Sequence, residues 1–221
     1  MKIQDFGEVQ STSLNIAILP STEVAAQAIE MSKKILTEMG SRYLLGFKTL
    51  IPHITVYQAQ YPNKNIAKLK NIIEKFVLDL PSFRINLDAI TVSHGTFLFW
   101  NCEKNKVIQD IHEKVVALAN PLREGIVLSQ LADRTNLTPE DKSDIEKFGA
   151  LLIGPRYEPH ITITRLNREN DAEKAIKLLS DTKNILFKPK SIILGYLGDH
   201  GTVTEIIEEF PFNQLESELT N

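Results

Sequence analysis

Two short stretches carry the same unusual content: Pro52–Val56 reads PHITV and Pro159–Ile163 reads PHITI, in a chain with only five histidines. Side chains alternate faces along a strand, so His53, Thr55 and Tyr57 share one face and Ile54 and Val56 the other. By the same rule His160, Thr162 and Thr164 oppose Ile161 and Ile163, and Arg165 points away from the histidine face. Proline at the head of each stretch suits a first strand residue, where no ladder donor is required. Histidine titrates at about 6.5, so two of them can divide labour at neutral pH, one as base and one as acid. In-line displacement at a phosphodiester needs that division: a base beside the attacking oxygen and an acid beside the leaving oxygen, on opposite sides. The two threonine hydroxyls suit the non-bridging oxygens. Neither a metal nor another cofactor is required.

The elements that must hold these residues follow from periodicity and punctuation. Ser13–Pro20 reads as a strand. A helix follows from Ser21, its N-cap, to Gly40, with Val24, Ala28, Ile35 and Met39 in helical period. Leu50–Ala59 is a strand, and a second helix runs from Asn65 to the stop at Pro81. Phe83–Ser93 and Thr96–Glu103 form a hairpin through His94 and Gly95, residue types that tolerate positive φ. A third helix spans Asn105–Asn120. The segment 122–154 is irregular apart from a helix with Thr138 as N-cap, Pro139 first and Gly149 at its end. Tyr157–Leu166 is strand again, Asn170–Ser180 helix, and Asn184–Leu197 with Gly201–Phe210 a final strand pair. The tail Asn213–Asn221 is polar and expected to fray.

Internal similarity decides the organisation. After each PHIT comes helix, strand, an HGT turn and strand, and His94 follows His53 at almost the interval at which His200 follows His160. Units of about 51–103 and 158–211 are therefore expected to face one another within one domain over 1–221. The fold class expected is α+β: two pseudosymmetric lobes, each a small, mostly antiparallel sheet with outer helices, around a central cleft.

Two proline-preceded His-x-Thr strands in one duplicated chain resemble the two-histidine (2H) phosphoesterase superfamily, which includes 2′,3′-cyclic phosphodiesterases, 2′-5′ RNA ligase-like proteins and 2′,5′-oligoadenylate phosphodiesterases. The resemblance extends from the strand at Leu14 to the strand ending near Phe210. It implies that His53 and His160 are the acid–base pair and that Thr55 and Thr162 bind phosphate. It also implies a two-lobed α+β fold and a 2′,3′-cyclic phosphate or 2′-5′ linkage, on a nucleotide or short RNA end, as substrate. PHITITRL matches the family's second motif with its trailing arginine, here Arg165. The same residues run in reverse would join RNA ends through a 2′-5′ bond. The rival readings are a nucleotide-binding module with little turnover and a histidine metal site.

Around the motifs, Tyr57, Arg156 and Tyr157 stand where they would stack on a base, hold a phosphate or pack the cleft edge. His94 and His200 are read as turn residues at the far ends of long strands, His112 as a boundary residue, and Phe97, Phe99 and Trp100 as sheet residues. The net charge of −3 carries no footprint for long duplex nucleic acid. A lone cysteine, Cys102, excludes an internal disulfide framework and fits the cytoplasm. Neither a signal peptide nor a membrane span is read in the sequence.

Overall fold

The computed structural model describes residues 10–132 and 134–212; the tail expected to fray, and the first nine residues, lie outside them. The described residues form eight strands: β1 (Ser11–Leu19), β2 (Ile54–Pro62), β3 (Ile85–Ser93), β4 (Phe97–Cys102), β5 (His160–Arg165), β6 (Ile185–Phe187), β7 (Ser191–Leu197) and β8 (Val203–Pro211). The helices are α1 (Thr22–Met39), α2 (Ile66–Leu78), α3 (Lys106–Ala119), the single turn α4 (Ser129–Ala132), α5 (Pro139–Phe148) and α6 (Ala172–Leu178). Local chemistry fixes several of the ends. The Ser21 hydroxyl accepts from Val24 N, and Asn105 Oδ1 accepts from Ile108 N. Thr138 and Asp141 form a reciprocal capping box, and Gly149 ends α5 at φ 67°.

The α+β class is as expected, but the two small sheets are joined into one antiparallel sheet of order β6-β3-β4-β5-β2-β1-β7-β8. The join is a seam: β2 and β5 meet through the single register pair Ile54–Ile161. Each side of the seam mixes the two sequence units. β2 stands with β1, β7 and β8, while β5 stands with β4, β3 and β6. The units therefore interlock, each lending its hairpin to the side that holds the other's PHIT strand. Asn184–Leu197, expected as one strand, breaks at Lys188–Lys190 around Pro189, which has no ladder donor; β6 pairs with β3 and β7 with β1, on opposite sides. The apolar faces of β2 and β5 pack into a common core, with Ile54, Ile161, Trp100, Leu69 and Val115 all buried.

Candidate active site

The alternation expected along the two motif strands fails at the same step in each. In β2, Thr55 pairs with Ala17 and Tyr57 with Ile16, leaving Val56 as an extra residue. In β5, Thr162 pairs with Phe99 and Thr164 with Leu98, leaving Ile163 extra. These matched β-bulges reverse the side-chain parity beyond them. Tyr57 and Thr164, expected beside the histidines, turn into the core instead; Tyr57 is 1% exposed and Thr164 fully buried. Gln58 and Arg165 take the histidine face in their place. Arg165 pairs with Phe97, in line with the Phe99–Thr162 and Asn101–His160 pairs.

Extending the Ile54–Ile161 pair by one residue each way sets His53 against Thr162 and Thr55 against His160. All four motif residues thus gather around the seam, on the face opposite the buried isoleucines. The two imidazoles are held alike. His53 Nδ1 donates to the Ile51 carbonyl at 2.7 Å, and His160 Nδ1 donates to the Glu158 carbonyl at 2.6 Å. Each carbonyl belongs to the residue two positions back, so the repeated motif carries its own tautomer lock. The proton on Nδ1 is committed, and Nε2 is left to exchange.

Burial lowers the His53 pKa, and the Ile51 and Gly201 carbonyls act against it. Burial likewise takes His160 down to about 4, opposed by the Glu158 carbonyl and reinforced by the charges that His53 and His94 carry when protonated. The His53 charge thus reaches His160 across the seam. Thr55 Oγ1 accepts from Asn15 Nδ2 at 3.0 Å, and the Phe99 ring lies stacked on His160.

A family model described as the 2'-5' RNA ligase superfamily matches residues 20–200. The chain belongs to the 2′-5′ RNA ligase superfamily, the two-histidine phosphoesterases. Its fold is shared with TT0787 of Thermus thermophilus at TM-score 0.55 and 18% identity, covering 92% of this chain and all of that one. E. coli LigT complexed with 3'-AMP aligns at TM-score 0.55 and 13% identity, over 93% of this chain and 100% of LigT. LigT complexed with phosphate aligns at 0.53 and 14%, over 93% and 99%. No curated protein matches the sequence.

Within this 2H chain the flanking residues divide. Arg165 is on the site face, its guanidinium 5.1 Å from the Phe97 ring centroid, with Nε donating to Thr96 Oγ1 and Nη1 to His200 Nδ1, each at 3.0 Å. The Tyr57 hydroxyl is committed to the Phe148 carbonyl at 2.6 Å, in the core and away from the motif face. Arg156 is tied to Asp141 and to Asp144 and faces α5 instead of the motifs. Tyr157 is 5% exposed, donates its hydroxyl to the Thr55 carbonyl at 2.8 Å, and borders a cavity of about 320 Å³. Phe99, Asn101, Glu158 and Pro159 border the same cavity at the foot of β5.

The HGT turns have the expected positive φ, 47° at His94 and 61° at His200. They are not remote from the site. Because the units interlock, each turn meets the other unit's motif strand: His94 Nε2 is 3.7 Å from Glu158 Oε2, and His200 meets Arg165. His112 is no boundary residue. It is buried, stacks on Tyr157 with ring centroids 4.0 Å apart, donates to the Val56 carbonyl and accepts from Gly154 N. Among the described residues no group of three or more His, Cys, Asp or Glu side chains is placed to hold a metal ion.

Proposed function

We propose that this phosphoesterase opens 2′,3′-cyclic phosphates, or cuts 2′-5′ linkages, of nucleotides or short RNA ends by His53–His160 acid–base catalysis without a metal. The observation that carries this is the pair of identical Nδ1 locks, which leave two Nε2 atoms at one seam beside two threonines and Arg165. One neutral Nε2 takes a proton from water as its oxygen bonds to phosphorus. The other, protonated once the anionic phosphate beside it draws its pKa back up, gives its proton to the ribose oxygen as the ring P–O bond breaks, so the ester opens to a phosphomonoester. Thr55, Thr162 and Arg165 hold the non-bridging oxygens. With a 5′-hydroxyl attacking the cyclic phosphate in place of water, the same displacement breaks the bond from phosphorus to the 3′-oxygen, which takes the acid's proton, and joins ends as a 2′-5′ ligase. LigT has been solved with 3'-AMP and with phosphate, ligands of the size and charge this reading requires. The buried free thiol of Cys102 suits the reducing cytoplasm where we place the protein.

The test is turnover of 2′,3′-cyclic mononucleotides, 2′-5′ oligoadenylates and cyclic-phosphate-ended RNA by wild type, His53→Ala and His160→Ala, with and without chelator. Turnover that survives chelator and disappears in both variants is expected. Wild type that neither binds nor turns over any of them overturns the reading.

A further inference from the structure

The seam relates the two halves residue by residue. Ile18 pairs with Ile54 as Trp100 does with Ile161, Ala17 with Thr55 as Phe99 with Thr162, and Asn15 with Gln58 as Phe97 with Arg165. The backbone repeats, but the side chains behind the motifs do not. Behind His160 and Thr162 stand two aromatic rings. Behind His53 and Thr55 stands a carboxamide.

Asn15 sits in the middle of β1, wholly buried between the apolar residues Leu14 and Ile16. A buried amide is costly there unless its polar atoms are partnered. Its Nδ2 bonds Thr55 Oγ1 and also lies 3.3 Å from His53 Nε2. Its Oδ1 is buried with no hydrogen-bond partner among the described residues. The donation to Thr55 Oγ1 leaves the threonine's own proton free for an acceptor in the cleft. The donation to His53 Nε2 suits the neutral ring whose Nδ1 proton is bound to Ile51. If the ring gains a second proton, the same amide turned by half a revolution offers Oδ1 to it.

We propose that Asn15 is a positioning residue that makes His53 and Thr55 one unit, its Nδ2 serving the neutral imidazole and its Oδ1 the protonated one. The second motif has no counterpart. The groups facing His53 are the carbonyls of Ile51 and Gly201, the Asn15 amide and, across the seam, the titratable ring of His160. This role rests on the acid–base reading above, and the test keeps the two separable.

The direct readout is the imidazole nitrogens of ¹⁵N-labelled full-length protein, titrated in wild type, Asn15→Asp and Asn15→Leu and assigned with His53→Gln and His160→Gln. An ionised aspartate only accepts, so Asn15→Asp should raise the His53 midpoint by about a unit or more. Asn15→Leu should lower it, and the His160 midpoint should move far less in both. A His53 titration unchanged in both variants overturns the proposal. In kinetics, Asn15→Leu combined with Thr55→Val should cost little more than the worse single change, while its combination with Thr162→Val should multiply the losses. Equal multiplication with both threonines overturns it as well. Thermal melts confirm folding, and the near-isosteric aspartate variant keeps the titration decisive if the leucine variant fails to fold. Failure of the wild type to turn over any substrate would sink the enzymatic reading alone, since the His53 titration needs no substrate.

Discussion

Phe99 lies against His160 with ring centroids 3.5 Å apart and planes 17° from parallel, while the corresponding place beside His53 belongs to Ala17. The ring shields one side of His160 from water and so contributes to the burial that takes its pKa to about 4. Phe99→Ala should restore solvent to that side and raise the His160 midpoint by about a unit or more, leaving His53 close to its wild-type value. Proton NMR titration of the two rings checks this. An unmoved His160 would place the cause elsewhere in the cleft wall.

The lowered histidine pKa values also make a stability statement. His53 and His160 both titrate below the free value of about 6.5, so the unfolded chain binds protons first as pH falls. Above about pH 6.5 neither state carries these protons and nothing is lost. Between about 6.5 and 4 stability should decline, and below that the contribution of His160 levels off. The lowered carboxyls of Asp141 and Asp171 act in a more acidic window. Urea midpoints at pH 5 and pH 7.5 should therefore differ in wild type, and His160→Gln should narrow the gap. A gap of the same size in that variant would clear His160 of the effect.

The bulge in β2 is clamped from below. His112 donates to the carbonyl of the extra residue Val56, and Tyr157 donates to the carbonyl of Thr55. Tyr157→Phe deletes one of these bonds with little change of shape and should cost about 1 kcal/mol in denaturant unfolding. His112→Leu also strands Gly154 N and the Val56 carbonyl, and should cost about 2–3 kcal/mol. Both should lower kcat, because the clamped segment carries Thr55 and follows His53. A stability loss with kcat intact would make the clamp purely architectural.

Much of this was legible in the sequence, and what was not has a definite cause. The two His-x-Thr strands, the turn residues with positive φ and the capped helices are local signals, set by a few neighbouring residues. The interlocking of the units depends on which strands pair, and β1, which precedes both units, takes the slot beside β2. The bulges left a trace: the buried positions of β2 run 54 and 56, then 57, 59 and 61 before the closing Pro62, so the adjacent pair Val56–Tyr57 marks the change of phase. In β5 Ile161 and Ile163 give way to Thr164 and Leu166, but a threonine in an apolar slot hides the step. Strict alternation consequently turned Tyr57 toward the site and Arg165 away from it.

The equivalence of Gln58 and Arg165 makes the arginine a testable source of asymmetry. Both follow a bulge and both return to the site face, but only Arg165 carries charge, and it is braced by Thr96, His200 and the Phe97 ring. A guanidinium held in place beside a phosphate anion contributes by charge-assisted hydrogen bonding, worth about 1.5–3 kcal/mol per bond. Arg165→Gln, which writes the residue of the first half into the second, should lower kcat/KM for a 2′,3′-cyclic nucleotide by about tenfold to a hundredfold. Most of the loss should fall on KM, since the charge of the non-bridging oxygens is present in the ground state. The dependence of kcat/KM on ionic strength should flatten in parallel, because a pair of opposite charges has been removed. Steady-state kinetics over a range of salt concentrations measures both quantities. An unchanged KM with an unchanged salt slope would show that the arginine braces the HGT turn without touching substrate.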